Sequence, residues 1–340
     1  MRAGPIRVGV IGTGMMGADH ARRLDGSIAG AVVSAVADVD IGRASRVAGG
    51  LVDARVAADA LELIAADDVD AVVVASADET HEAFALACLA AGKPLLCEKP
   101  LAPTAPAALR ILEAEQELDA PMISIGFMRR FDPGFVELKA ALGAGSVGAP
   151  LVVHCIHRNA GAVAGVTAAE VVTSSAIHEI DTARWLLDEE IVAITAHAPH
   201  HRRRPESAPD PLLVRIESES GTIVDVEVFV DASYGYDVRC EVVGETGAIS
   251  LDAPGATTLR LGGRRSESLA ADWRPRFSEA YRRELQDWVV AVRTGTPSGA
   301  ANTRDGYLAT VVAEAAVESL STGARVMVAG VETGRPRSAG

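Results

Sequence analysis

Three groups of residues in this 340-residue chain have types and spacings suited to chemistry. The first is Cys97-Glu98-Lys99-Pro100, where an apolar strand runs into an acid, a base and a proline. The second is the glycine fingerprint Gly12-Thr13-Gly14-Met15-Met16-Gly17. The third is His178-Glu179-Ile180-Asp181. Oxidising an alcohol needs a base for the hydroxyl proton and a positive group beside the oxygen. Histidine near its natural pKa suits the first task, and a lysine stabilises the developing alkoxide. Lys99 and His178 are therefore the candidate catalytic pair for hydride transfer without a metal. From spacing alone, Lys99 reads equally as a solvated loop lysine and His178 as a surface or capping histidine.

The fingerprint gains weight from its setting, because it follows a buried strand and opens a helix. Gly12 allows the tight turn, Gly14 lets the backbone approach a pyrophosphate, and Gly17 lets helix and strand pack closely. The helix N-terminus, with Thr13, Met15 and Met16, offers N–H groups to phosphate. Asp38 ends the second strand, where an acid accepts hydrogen bonds from the adenosine ribose and repels a 2′-phosphate. Val39, Asp40 and Ile41 follow it, with no arginine among them. NAD is expected rather than NADP. Asp38 could instead cap a helix starting near Ile41, a role that Asp40 fits better.

These residues must be positioned by alternating elements. Strands are expected at Ile6–Ile11, Ala31–Ala37, Ala54–Ala57, Ala71–Ala75, Pro94–Cys97 and Met122–Gly126. Helices are expected near Met15–Leu24, Glu79–Ala91 (stopped by Gly92) and Pro103–Leu118. This alternation predicts a parallel Rossmann sheet over 1–126. The pattern then changes. Helices near Pro133–Leu142 and Ala176–Leu187 flank a strand at Leu151–His157. Closely spaced strands follow at Ile191–His197, Leu212–Glu217, Thr222–Val230, Val238–Val243 and Ala248–Leu251, with turns at Gly221 and Gly247. Strands this close are expected to be antiparallel. Helices near Glu279–Arg293 and Thr303–Thr322 close a substrate-binding and oligomerisation domain over 127–330. The tail 331–340 is expected to be disordered.

Composition excludes several classes. A formal charge of −14 disfavours nucleic acid as a partner, and no apolar run is long enough to span a bilayer. His201-Arg202-Arg203-Arg204-Pro205 reads as a solvated loop rather than a phosphate site. The four cysteines, Cys88, Cys97, Cys155 and Cys240, are scattered, so neither a zinc site nor a disulfide framework is indicated. The N-terminus leads straight into a strand and leaves no room for a signal peptide, so a cytoplasmic location is expected.

The fingerprint, Cys97-Glu98-Lys99-Pro100, and Ile177-His178-Glu179-Ile180-Asp181 through Trp185-Leu186-Leu187 together resemble the glucose–fructose oxidoreductase and inositol dehydrogenase family (Gfo/Idh/MocA). The likeness runs through Tyr307. It is strongest to the inositol 2-dehydrogenase branch in Gly126-Phe127-Met128-Arg129-Arg130-Phe131-Asp132, His154-Cys155-Ile156-His157-Arg158-Asn159 and Tyr234-Gly235-Tyr236-Asp237. The resemblance implies a Rossmann domain followed by an α/β domain with a large, mainly antiparallel open sheet. It implies that Lys99 hydrogen-bonds the reacting hydroxyl while His178 takes its proton. His157, Asn159, Asp181, Tyr236 and Tyr281 correspond to polyol-lining positions, with Met128 and Arg129 near the same crevice. Ser76 and Glu98 join Lys99 as cofactor contacts.

One departure stands out. Inositol dehydrogenases carry an aspartate four residues before the catalytic histidine, and this chain has Ser174 there. A serine can bond a substrate hydroxyl but cannot raise the basicity of His178 as a carboxylate would. Glu179 is expected to point to another helix face. The reading is NAD-dependent oxidation of a cyclitol. Its rivals are a pyranose dehydrogenase or keto-sugar reductase of the same family, a redox-neutral lyase with tightly held NAD, and an NAD-binding sensor without turnover. An apolar open sheet face is expected to be covered in a homodimer or homotetramer.

Overall fold

In a computed structural model, described over residues 4–162, 164–199, 211–251 and 258–328, the chain divides into two compact units. One comprises Met1–Pro133 and Phe277–Thr310, the other Gly134–Arg276 and Val311–Gly340. The block 127–330 drawn from the sequence is thus shared between them, because a helix near the C-terminus packs into the core of the N-terminal unit.

The first unit alternates β1 (Ile6–Ile11), α1 (Met15–Gly26), β2 (Ala31–Ala37), α2 (Ile41–Ala48), β3 (Arg55–Val56), α3 (Ala60–Ala65), β4 (Ala71–Val74), α4 (His81–Ala90), β5 (Leu95–Glu98), α5 (Ala105–Gln116) and β6 (Ile123–Gly126). The strand order is β3-β2-β1-β4-β5-β6, and every pair is parallel. This is the doubly wound arrangement, with its ligand crevice at the carboxyl ends of the strands where the order reverses. All four residues of β4 and of β5 are buried, as strands covered on both faces must be. α1 buries Gly17, His20, Ala21 and Leu24, the i, i+3, i+4, i+7 face of an amphipathic helix.

In the second unit, α6 (Pro133–Gly143) leads to β7 (Pro150–Arg158), α7 (Ala168–Val171), a π-helical turn over Val172–Ala176, and α8 (Ile177–Leu187). β8 (Ile191–His197), β9 (Leu212–Ser218), β10 (Ile223–Phe229), β11 (Asp237–Gly244) and β12 (Ala248–Leu251) follow, then the hairpin of β13 (Thr258–Leu261) and β14 (Arg264–Glu267), and the short α9 (Trp273–Arg276). The chain then passes through α10 (Ser278–Thr294), α11 (Thr303–Thr322) and β15 (Val326–Met327). The large sheet runs β12-β11-β7-β10-β9-β8-β15. Among the described residues only the β7–β10 pair of this sheet is parallel, and the long connection between those strands supplies the crossover a parallel pair requires.

The core of the first unit collects Ile6, Val8, Val10, Leu24, Val33, Val36, Val73 and Leu96. Leu285, Trp288 and Val289 of α10 complete it. In the second unit the inner sheet face is apolar, with Val153, Cys155, Val214, Ile216, Val224, Val226, Cys240 and Val242 buried. The outer face is not the apolar surface expected. Val152, Ile156 and Leu213 share it with His154, Arg215, Asp225, Glu227, Arg239 and Glu241, and ion pairs such as Arg158–Glu227 cross it. The basic cluster at 201–205 and the tail 331–340 lie outside the described residues.

Candidate active site

In the first unit, the nucleotide-binding candidates collect at the carboxyl ends of the parallel strands. Gly12 takes φ +84°, a conformation glycine adopts without steric cost. A Cβ on Gly17 would stand 1.7 Å from the Gly12 carbonyl oxygen, and one on Gly12 2.5 Å from that of Ala75. A Cβ on Gly14 meets nothing within 4 Å. Packing therefore fixes the outer two glycines, while the middle one faces open space where a pyrophosphate can approach. The N-terminus of α1 has Gly14 as its cap, with no side-chain capping bond and no acid in the first turn. It is suited to phosphate, and the residues present fit a dinucleotide.

Asp38 at the end of β2 is more heavily engaged than its sequence position suggests. Its carboxylate accepts from Thr13 N at 2.6 Å and Thr13 Oγ1 at 2.9 Å, and from Asp40 N at 2.8 Å. Arg43 adds Nε at 3.1 Å and Nη2 at 2.8 Å. Burial raises the pKa of Asp38, but Arg43 and the Asp40 and Thr13 donors hold it well below the usual carboxylate range. Asp40 caps α2 through Arg43 N at 3.0 Å, which leaves Asp38 to its own partners. The arginine absent from positions 39–41 is thus supplied one helical turn later.

Lys99 follows the buried β5, and its peptide bond to Pro100 is cis. The neighbouring Glu98 is anchored by His20 of α1, whose Nε2 lies 2.7 Å from Glu98 Oε1. Burial works against ionisation of Glu98, yet the bond to His20, with Lys99 nearby, keeps its pKa below the ordinary carboxylate value. Ser76, beyond β4, bonds Thr80 through its hydroxyl at 2.6 Å. Met128 and Arg129, in the 3₁₀ turn after β6, are both 2% exposed. Tyr281 of α10 stacks edge-on against His20 at 5.7 Å, and the Arg23 guanidinium lies 5.6 Å from its ring centre.

In the second unit, the end of β7 and the start of α8 build a separate polar cluster. The His157 ring bridges Glu179 Oε2, 3.1 Å from Nδ1, and Asn159 Oδ1, 3.2 Å from Nε2. The His178 ring lies 6.2 Å away and the Tyr236 ring 6.0 Å, the latter edge-on. Asp181 is 1% exposed on α8. Four candidates, His157, Asn159, His178 and Tyr236, are therefore neighbours.

Glu179, next to His178 on α8, is buried and bonds His157. Ser174 precedes α8, in line with a helix expected from Ala176. It lies in the π turn, which breaks the α-helical period between it and His178. Its hydroxyl donates to the Glu170 carbonyl at 2.5 Å, and the residue is exposed. Among the described residues no group of His, Cys, Asp or Glu is arranged to hold a metal ion, and no helix is long and apolar enough to cross a membrane. The four cysteines are free and buried.

Comparison with known proteins agrees with this architecture. Residues 6–127 match the family model described as an oxidoreductase family with NAD-binding Rossmann fold, GFO_IDH_MocA. Residues 135–250 match the GFO/IDH/MocA C-terminal domain. Inositol 2-dehydrogenases 2 and 1 of Saccharopolyspora erythraea are 50% and 51% identical over 325 residues, covering 95% of this chain and 95% and 96% of theirs. The crystal structure of myo-inositol dehydrogenase from Lactobacillus casei in complex with NAD(H) and myo-inositol superposes with a TM-score of 0.92 at 37% identity, covering 98% of this chain and 99% of that one. With a Rossmann unit, a mixed-sheet unit and relatives matching nearly end to end, the chain belongs to the GFO/IDH/MocA family and is an NAD-dependent oxidoreductase acting on CH–OH groups.

Proposed function

We propose that this enzyme oxidises a secondary hydroxyl of an inositol-type polyol to a ketone. The observation that carries this reading is the polar cluster of His157, Asn159, His178, Glu179 and Tyr236. A cyclitol presents a hydroxyl on every ring carbon, and each one buried without a partner costs about 1–3 kcal/mol. Side chains that both donate and accept are what such a ring requires. The inositol 2-dehydrogenase relatives and the inositol-bound neighbour support the same substrate class.

In this reading His178 removes the hydroxyl proton, and Lys99 donates a hydrogen bond to the reacting oxygen as negative charge grows on it. Bound NAD supplies the hydride acceptor. Gly12, Thr13, Gly14, Met15, Met16 and Gly17 hold the pyrophosphate, Asp38 the ribose, and Ser76 and Glu98 the nicotinamide end. Met128, Arg129, Asp181 and Tyr281 complete the substrate contacts. Glu179 orients His157 through the bond to Nδ1. The enzyme is proposed to be cytoplasmic and to assemble as a homodimer or homotetramer through an open sheet whose outer face mixes apolar and charged residues.

A second reading, a pyranose dehydrogenase or keto-sugar reductase, draws on Ser174. The position that carries a carboxylate in inositol dehydrogenases here holds a hydroxyl bonded to its own helix. Initial rates on inositol isomers and hexoses, each with NAD and with NADP, discriminate the two. A preference for a hexose over every inositol isomer overturns the first reading. Net NADH release separates both from a redox-neutral lyase and from a sensor.

A further inference from the structure

His81 is 1% exposed at the first position of α4, far from solvent for a titratable side chain. Its Nδ1 lies 2.7 Å from the carbonyl oxygen of Pro100, and its Nε2 lies 3.2 Å from that of Ser76. A carbonyl oxygen only accepts. An imidazolium, with hydrogen on both ring nitrogens, donates to both carbonyls, whereas a neutral ring donates to only one. A neutral tautomer would set a nitrogen lone pair against a carbonyl lone pair at one of the two contacts.

The two carbonyls belong to the loops that leave β4 and β5 at the carboxyl edge of the sheet. One follows Lys99 directly, and the other belongs to Ser76. His81 thus ties together the two stretches of main chain that flank the nucleotide crevice. On the other side of Lys99, the bond between His20 and Glu98 fixes the preceding residue. Lys99 is carried between two histidine anchors, one from α1 and one from α4. Burial opposes a charge on His81, but Cys97 on β5, the Pro100 carbonyl and Asp78 in the turn before α4 outweigh it and raise the pKa to about 10. Asp78 is itself pushed up by burial, against the pull of His81 and Lys99.

We propose that His81 is a positioning residue for Lys99: as an imidazolium donating to the carbonyls of Pro100 and Ser76, it fixes the main chain from which the Lys99 ammonium reaches the reacting oxygen. The proposal rests on the catalytic role given above to Lys99. It differs from a general structural role in what its loss affects. The chemical step suffers, while the nucleotide site and the fold persist.

The test uses the full-length enzyme in two parts. Nitrogen-15 spectra of histidine-labelled protein, with His81 assigned by its absence in His81→Gln, report the charge directly. At pH 7.5 both His81 nitrogens are expected at imidazolium shifts, and a neutral tautomer at that pH overturns the proposal whatever Lys99 does. Kinetics form the second part. In His81→Leu, kcat on inositol is expected to fall about 10²-fold, as for a misplaced catalytic group, with the KM for polyol and the Kd for NAD changed less than about threefold. His81→Gln, which keeps one donor, is expected to recover part of the loss, and it is the variant to use if His81→Leu does not fold.

The double variant with Lys99→Met separates the two claims, because groups acting through one another are not additive. Loss no greater than in Lys99→Met alone supports the proposal. Additive loss, or kcat within about twofold of wild type in folded His81→Gln and His81→Leu, overturns it. Full turnover in Lys99→Met defeats instead the role assigned to Lys99.

Discussion

Asp38 shows what one residue reveals in sequence and what it conceals. Its place at the end of β2 marks it as a candidate ribose acceptor, and the structure sets it beside Thr13 of the glycine turn. Its saturation by Thr13, Asp40 and Arg43 was not readable, because Arg43 reaches back from within α2. A carboxylate offers about four lone-pair sites, so in the proposed role ribose hydroxyls would displace a donor, and Arg43, 42% exposed, is the most accessible one. Wild type is expected to use NAD. Asp38→Ser removes the repulsion and leaves Arg43 to meet a 2′-phosphate. The ratio of kcat/KM for NADP to that for NAD should then rise about tenfold or more, as a new charge-assisted bond of about 1.5–3 kcal/mol implies. A ratio unmoved by the substitution removes Asp38 and Arg43 from cofactor choice. His81 yields a pH prediction of known sign. Its pKa is raised on folding, from 6.5 to about 10. The stability it contributes is full below pH 6.5, erodes above it and is gone past about pH 10. Chemical denaturation of wild type and His81→Gln should therefore converge as the pH approaches 10.

At the scale of elements, the strands of the first unit were legible because two-sided burial writes continuous apolar runs. α3 was not, since six residues capped by Asp59 carry no periodic signal. The π turn before α8 was equally invisible. It sets Ser174 outside the α-helical period of His178, so spacing from the histidine alone does not tell where the serine points. Because the Ser174 hydroxyl spends its proton on Glu170, Ser174→Ala should change kcat/KM on the best polyol by less than about threefold, as an exposed back-bonding serine implies. A loss of tenfold or more would show that its lone pairs accept a substrate hydroxyl. α10 belongs to the opposite case, for its helical pattern was readable but its destination was not. Trp288, 1% exposed in the first unit's core, should cost about 3–5 kcal/mol when cut to alanine, measured by denaturant unfolding.

For the whole molecule, the succession of a Rossmann sheet and a large mixed sheet was legible from the change of strand spacing along the chain. The return of Phe277–Thr310 to the first unit was not, because only packing decides where an amphipathic helix docks. A fragment ending at residue 133 should consequently fail to unfold cooperatively, lacking Leu285, Trp288 and Val289 from its core. The outer face of the large sheet mixes Ile156 and Leu213 with ion pairs, and if copies associate there, Ile156→Arg should lower the mass measured by light scattering. The central claim is oxidation of an inositol by Lys99 and His178 with NAD. It is tested most directly by the initial rate of NADH formation from myo-inositol in wild type, Lys99→Met and His178→Ala, each shown to be folded and to bind NAD. Turnover in wild type and a loss of about 10²-fold or more in each variant is the expected result. Near-normal rates in either folded variant, or no NADH from any inositol isomer with wild type, would contradict it.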